Sequence, residues 1–381
     1  MLKLTPTPPA NAFVDAKGLN REQATFPLDV VDPELLFADY VYVSGTSPVF
    51  VKHFEEYANS ITKRFAPDSA GGLVVDIGSN DGTLLAQFKE LGFGVLGVDP
   101  AREIARQATE NGIETWPEFF TADLAGRILA ERGTADIVTA NNVFAHADDL
   151  AGITQGVKSL MAPSGVFVFE VSYLVDVFEK TLFDTIYHEH LAYHSVKPLR
   201  AFFASAGMEL ISAERVASHG GSLRSIVQLA DGPHDVDASV QASIDYETRM
   251  GLDRAETLLE FGTQINTVKR DLTALLWGLK KAGKSIAGFG APAKATTLMY
   301  HFGIGSDLID FIVDDSPLKQ GLFSPGMHIP VLPSDAIYSK KPDAVVVLAW
   351  NFAEPIMRNH ARYRDEGGQF IVPLPSVEVF D

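Results

Sequence analysis

The densest group of chemistry-bearing side chains is Tyr187-His188-Glu189-His190-Leu191-Ala192-Tyr193-His194, which gathers three of the chain's ten histidines beside two tyrosines and a glutamate. Histidine titrates near neutrality, and a neighbouring Tyr or Glu can orient it or share its proton, so this stretch points to general-base chemistry. His190 and His194 also have the i, i+4 spacing of metal-binding helix pairs. The zinc signature H-E-x-x-H, however, needs glutamate directly after the first histidine, and Leu191 stands there. No metal is expected. The bland alternative is a polar loop of hydrogen-bonded histidines.

A base needs a reactive partner and a frame. Leu73 to Asp76 reads as a buried strand, Gly78 and Gly82 mark a tight turn, and Thr83 opens a helix. This strand–turn–helix is the first unit of a nucleotide-binding α/β sheet. The spacing is D-x-G-x-x-x-G, short of the dinucleotide fingerprint, and no Lys follows it as a P-loop requires. Asp76 and Asp81 put negative charge where a pyrophosphate would lie. A cationic ligand without phosphate fits better, and S-adenosylmethionine (SAM) carries an ammonium and a sulfonium. Asp76, Gly78, Ser79, Asn80 and Gly82 are the candidate contacts. Asp99, at the tip of the next strand (95–99), is placed to accept ribose hydroxyls. A βαβ unit whose glycines serve packing alone is the competing reading.

Further strands are expected at 136–140 and 166–170, with helical segments between, as in a doubly wound parallel sheet. Asn141, Asn142 and His146 follow the third of the four strands. Ligands bind beyond the carboxyl ends of such strands, so these three fall near the transferred methyl group; equally, the Asn pair could cap the next helix. Ahead of the sheet, 33–37 reads as a short helix and 49–65 shows helical spacing. The aromatic and hydroxyl run 40–47 is either a ligand-facing loop, through Tyr42 and Ser44, or a packed one. After it, Ser218-His219-Gly220-Gly221 forms a sharp turn. Arg224 suits a phosphate or carboxylate, or a surface ion pair. Residues 240 to about 282 read as one long helical stretch.

A second strand–turn–helix follows at 285–294. Gly288 and Gly290 allow close backbone approach, and the helix start with Lys294 suits an anion. Strands at 310–315, 344–351 and 370–372 complete a smaller α/β unit. One cation-friendly and one anion-friendly turn suit two different substrates.

Composition narrows the class. The chain has 381 residues, no cysteine and a net charge of −18. Disulfides, thiolate metal sites and Cys nucleophiles are excluded, and a nucleic-acid partner is disfavoured because phosphate backbones need clustered Lys and Arg. No apolar run is long enough for a membrane span and no signal peptide is evident, so a cytoplasmic protein is expected.

These motifs together resemble the SAM-dependent C-methyltransferases of nucleotide-linked ketosugars in deoxysugar pathways. The resemblance runs from about Pro9 to the C-terminus and rests on V-D-P-E-L-L-F-A-D-Y-V-Y-V-S-G-T-S (31–47), D-I-G-S-N-D-G-T-L-L (76–85), Y-H-E-H (187–190), H-G-G-S-L-R (219–224), G-F-G-A-P-A-K (288–294) and V-D-D-S-P-L-K-Q-G (313–321). It implies an N-terminal zinc module, here a remnant over 1–65, and a Rossmann-like class I SAM methyltransferase domain over 66–215. A connecting turn and long helix over 216–282 would lead to a Rossmann-like nucleotide-sugar domain over 283–381, with the sugar between the last two domains. It further implies that a base removes the C-3 proton beside a C-4 ketone and that the enolate takes the SAM methyl group. The family's Y-x-E-H motif falls on Tyr187, Glu189 and His190, with His190 the base and His146 assisting. Tyr42, Ser44, His219, Arg224, Gly290 and Lys294 become the expected substrate contacts. One departure stands out: the family's zinc module uses two Cys pairs and this chain has none, so no zinc is expected. O- or N-methylation on the same fold, and an NAD-dependent nucleotide-sugar oxidoreductase or epimerase, are the alternatives.

Overall fold

The computed structural model describes residues 31–38, 45, 48–66 and 71–381. They fall into two compact units. One takes the described residues between 31 and 175 together with 188–253; the other takes 176–187 and 254–381.

The first unit is built on a seven-stranded sheet. Its strands are β1 (Leu73–Ile77), β2 (Gly94–Val98), β3 (Thr115–Trp116), β4 (Ala135–Asn141), β5 (Met161–Ser172), β6 (Met208–Val216) and β7 (Ser222–Leu229), in the order β3-β2-β1-β4-β5-β7-β6. The first five pair in parallel, and β7 then runs antiparallel to both β5 and β6. Burial on both faces explains the mainly apolar runs of β1 and of residues 166–171 in β5, each broken by one buried acid, Asp76 and Glu170. The order reverses between β1 and β4, so their carboxyl ends form the crevice where such sheets take ligands. This is the Rossmann-like fold of class I methyltransferases, with a mixed edge.

The helix Pro48–Phe65 buries Phe54, Tyr57, Ala58 and Ile61 against Leu84, Leu85 and Phe88 of the helix Thr83–Glu90. Each large side chain fully buried there stabilises the packing by about 1.5–3 kcal/mol. The short helix Pro33–Phe37 starts where expected, its first turn capped by the Asp32 carboxylate, which accepts from the Glu34 amide at 2.9 Å.

The second unit carries β8 (Ile286–Phe289), β9 (Phe311–Asp314), β10 (Val331–Pro333), β11 (Ala344–Val347), β12 (Gln369–Val372) and β13 (Glu378–Phe380), in the order β10-β9-β8-β11-β12-β13. All pair in parallel except β13.

Two expectations change. The helical stretch from 240 is two helices, Ala238–Met250 and Ala255–Lys281. Gly251 takes a left-handed backbone (φ 72°), its N–H bonds Thr248 O at 3.1 Å, and Leu252 N–H bonds Glu247 O at 3.2 Å. This double bond pattern is a Schellman stop, which overrides the otherwise continuous leucine spacing. The segment 216–282 also supplies β7 to the first sheet, in addition to a turn and helices. Among the described residues, no helix is long and apolar enough to cross a membrane.

Candidate active site

The glycine turn after β1 is shaped for close approach. Gly78 has φ 70°, its N–H bonds Val98 O at 2.7 Å, and a Cβ there would lie 2.2 Å from Val143 Cγ2. Gly82, at φ 77°, would drive a Cβ to 2.7 Å from Ile113 Cγ2. Gly78→Ala is therefore expected to cost about 1–3 kcal/mol through backbone strain and overlap, and to weaken SAM binding. Adding Val143→Ala removes the overlap but not the strain. Thermal midpoints and calorimetric titration of the single and double variants check this: partial recovery in the double variant is expected.

Asp99 faces the same turn. Its Oδ2 accepts from Asn80 N and its Oδ1 from Ala101 N, both at 2.8 Å. Burial raises its pKa while these two amides oppose the shift. Each oxygen keeps a second lone-pair direction for a hydroxyl donor. Asp81 turns to the protein instead: its Oδ1 accepts from the Thr83 hydroxyl at 2.6 Å and its Oδ2 from Gly45 N at 2.9 Å.

Asp76 is buried and accepts from the Thr139 hydroxyl at 2.6 Å. Its carboxyl is pushed up to about 7, chiefly by burial, with the Thr139 bond opposing and the Asp99 charge adding. The sign has a measurable consequence. Below the ordinary aspartate range the group is protonated in both states and its contribution is fully present. Between about pH 4 and pH 7 only the folded chain keeps the proton, so stability falls as pH rises, by roughly 1.4 kcal/mol per pH unit at most. Denaturant unfolding of the ligand-free protein at pH 5 and pH 8 should show this loss. Asp76→Asn should lack that component; an unchanged pH difference would count against the raised value.

Beyond β4, both side-chain amide atoms of Asn141 and the Ser79 hydroxyl are buried without hydrogen-bond partners. Asn142 has φ 55° and donates its N–H to Glu170 O at 2.8 Å. The Asn pair does not cap the following helix Leu150–Leu160; Asp149 does. Orphaned amide groups, two acids and no Lys or Arg between 73 and 85 fit a ligand with ammonium, sulfonium and ribose groups better than one with phosphate.

His146 lies in the loop after β4. Its ring stacks on that of His190, with centroids 5.0 Å apart and planes 19° from parallel, and on its other contact Phe37 lies 5.9 Å away at 5°. The sequence placed these histidines in separate motifs; the fold brings them together. Ala192 N–H bonds Ala145 O at 3.1 Å, and Leu174 N–H bonds His194 O at 2.9 Å, which dock the 190–194 segment against the loop. That segment is irregular and ends in a bridge at His194 rather than forming a helix, so the i, i+4 spacing of His190 and His194 does not put them on one helix face. His194 is a core histidine, with Nε2 3.4 Å from Phe144 O. Burial drives its pKa down to about 4, so it is neutral at physiological pH. Among the described residues, no group of three His, Asp or Glu is arranged to hold a metal. Glu189 is half-buried, and burial raises its pKa against the opposing His188 charge.

Arg224 forms an ion pair, but a buried one. Its Nε lies 2.7 Å from Glu170 Oε1, and its guanidinium stands 4.2 Å over the Tyr57 ring. Glu170 also meets His53 Nε2 at 2.9 Å and accepts from the Ser218 hydroxyl at 3.2 Å. Burial alone would raise the Glu170 carboxyl, but His53 and Arg224 together hold it below the usual range. Neither His53 nor Glu170 was anticipated. The available signal was a lone acid in the apolar run Val166-Phe167-Val168-Phe169-Glu170-Val171. His219 lies in the short turn Ser218–Gly220. Tyr42 and Ser44 lie outside the described residues.

In the second unit the turn after β8 repeats the first. Gly290 has φ 89° and its N–H bonds Val313 O at 2.7 Å, while Asp314 accepts from Ala291 N at 2.7 Å. Lys294 Nζ sits 4.2 Å over the Trp350 ring. Burial lowers its pKa against the Asp184 charge, and Asp184 accepts from Trp350 Nε1 at 2.6 Å.

The C-methyltransferase NovU of Streptomyces niveus is 35% identical over 371 residues, covering 94% of this chain and 88% of its own. The chain belongs to the C-methyltransferase family. Two family descriptions agree: "C-methyltransferase C-terminal domain" matches residues 217–375 and "Methyltransferase domain" matches 50–213. A ubiquinone biosynthesis O-methyltransferase of Cupriavidus pinatubonensis is 27% identical over 154 residues, 37% of this chain and 62% of its own. The crystal structure of magnesium protoporphyrin IX methyltransferase from Synechocystis PCC 6803 with bound SAM is 16% identical, at a TM-score of 0.34, covering 47% of this chain and 81% of that one. Membership of the C-methyltransferase family, and not the distant fold likeness, makes the chain an enzyme of the class whose methyl donor is S-adenosylmethionine, and sets the oxidoreductase alternative aside.

Proposed function

We propose that this C-methyltransferase acts on a nucleotide-linked 4-ketosugar, taking the proton from C-3 and methylating that carbon. The observation that carries the reading is the His146–His190 stack beside the carboxyl end of β4, within the same unit as the glycine turn of β1. A C–H made acidic by an adjacent ketone needs a positioned base of near-neutral pKa. His190 is that base: the C–H bond pair becomes the enolate and the proton passes to the imidazole. Glu189 and His146 assist, and an Asn of the 141–142 pair donates to the enolate oxygen, the group on which negative charge develops. Asp76, Gly78, Ser79, Asn80, Gly82, Asp99, Asn141 and Asn142 hold SAM. When bound, SAM supplies an electrophilic methyl group that the enolate carbon takes, leaving the C–S bond pair on sulfur.

Tyr42, Ser44 and His219 remain proposed substrate contacts, Gly290 and Lys294 are the proposed anion-binding turn of the second unit, and Arg224 is fixed through Glu170. The test is turnover of TDP- and GDP-4-ketohexoses with methyl-labelled SAM, together with deuterium uptake at C-3 in D₂O. Label on carbon with uptake at C-3 is the expected result. Label on oxygen or nitrogen would sink the reading.

A further inference from the structure

We propose that Tyr193 is the positioning residue of the base, holding the Nδ1 side of His190 so that Nε2 takes the substrate proton. This rests on the assignment of His190 as that base. The Tyr193 hydroxyl lies 3.3 Å from His190 Nδ1, and the two rings meet edge to face with centroids 5.9 Å apart.

An imidazole on a side chain has two orientational freedoms to lose, the direction of its plane and its rotation within that plane. The stack with His146 fixes the first. The contact at Nδ1 fixes the second, and it leaves Nε2 on the far side of the ring from Tyr193. Orientation of this kind is worth as much to a proton transfer as the base's pKa.

A tyrosine hydroxyl can donate or accept, and in the proposed arrangement it accepts, which sets a tautomer. A neutral histidine acting through Nε2 needs its lone pair there, and so must carry its proton on Nδ1. Free imidazole side chains prefer the opposite arrangement. An oxygen acceptor at Nδ1 reverses that preference, because which nitrogen is protonated follows the bond the other makes. The Tyr193 oxygen accepts Nδ1–H while remaining neutral. Proton transfer then balances simply: the substrate C–H proton goes to Nε2, its bond pair goes to the enolate, and the imidazolium keeps Nδ1–H on Tyr193. The Nε2 proton is released to water after turnover.

Tyr193 is suited to hold rather than follow. It is 3% exposed. The backbone on both sides is pinned, by Ala192 N to Ala145 O at 3.1 Å and by the bridge between His194 and Tyr173. The histidine can therefore adjust to the tyrosine, but the tyrosine is locked to the sheet.

The experiment is long-range ¹H–¹⁵N spectroscopy of the full-length, ¹⁵N-labelled protein without substrate, above the histidine titration range, with the His190 signals identified by comparison with His190→Gln. Wild type should show the proton on Nδ1. Tyr193→Phe, which keeps the ring and its packing, should move it to Nε2 and lower kcat roughly ten- to a hundred-fold, with the KM for SAM unchanged. Wild-type His190 protonated on Nε2 overturns the proposal without any variant. So does a Tyr193→Phe enzyme with unaltered tautomer and rate. If instead His190→Ala keeps full methyl transfer while the tautomer result holds, the base assignment fails and the Tyr193–His190 geometry stands.

Discussion

Replacing His190 with alanine should reduce methyl transfer by about 10²- to 10⁴-fold, the range expected for loss of a positioned general base. The loss should appear in kcat and in kcat/KM alike, because the base acts in the transition state and contributes little to ground-state binding. SAM affinity, assigned in the proposed site to the turn after β1 and to Asp99, should be unchanged in calorimetric titration. Deuterium uptake at C-3 should disappear along with methylation. If uptake persists while methylation is lost, His190 acts after proton removal. His146→Ala should give a smaller loss, since it removes only the ring that His190 stacks against.

The second large effect concerns Glu170. Its carboxylate is 3% exposed and holds Arg224, His53 and the Ser218 hydroxyl together. Glu170→Ala would leave the Arg224 charge buried beside Tyr57 with no counter-ion, which costs roughly 3–5 kcal/mol. Removing both partners, as Glu170→Met with Arg224→Met, should recover much of that, because replacing a whole buried pair by apolar side chains avoids the stranded charge. Denaturant midpoints of the three proteins check this; a double variant no better than the single one would show that the cost lies elsewhere. The pH sense follows from the depressed Glu170 carboxyl: its contribution is full above the ordinary glutamate range and is lost as pH falls through the lower folded value.

Local signals in the chain specified most of this architecture. The parallel strands of four or more residues were readable from their apolar runs: β1, β2, β4, β5, β8, β9, β11 and β12. Their burial on both faces writes a continuous apolar run. β6 and β7 were not, because polar side chains run through both, Ser212, Glu214 and Arg215 in β6 and Arg224, Ser225 and Gln228 in β7, although β7 is buried almost throughout. Two-residue β3 is too short to leave any pattern. The site was legible in its parts. The turn, Asp99 and the 187–190 motif announce themselves through glycine and titratable side chains at fixed spacing. The stack of His146 on His190, and the closure of Glu170 on His53 and Arg224, join residues from separate elements. Those pairings come from sheet register and loop docking, which local composition does not encode.

The order in which the chain visits its two units bears on how they can be cut. Residues 176–187 belong to the second unit although the first resumes at 188. They bring Asp184 to the Trp350 indole, and Phe183 stacks on Phe302 with centroids 5.1 Å apart. A fragment beginning at 254 would contain all six strands of the second sheet and still be missing part of its own interior, with the Trp350 N–H stripped of its acceptor. The second unit is not contiguous in sequence. A protease nick at 253 would leave residues 176–187, which the second unit needs, on the N-terminal fragment, so the second unit could not be traded for a relative's by a single splice there.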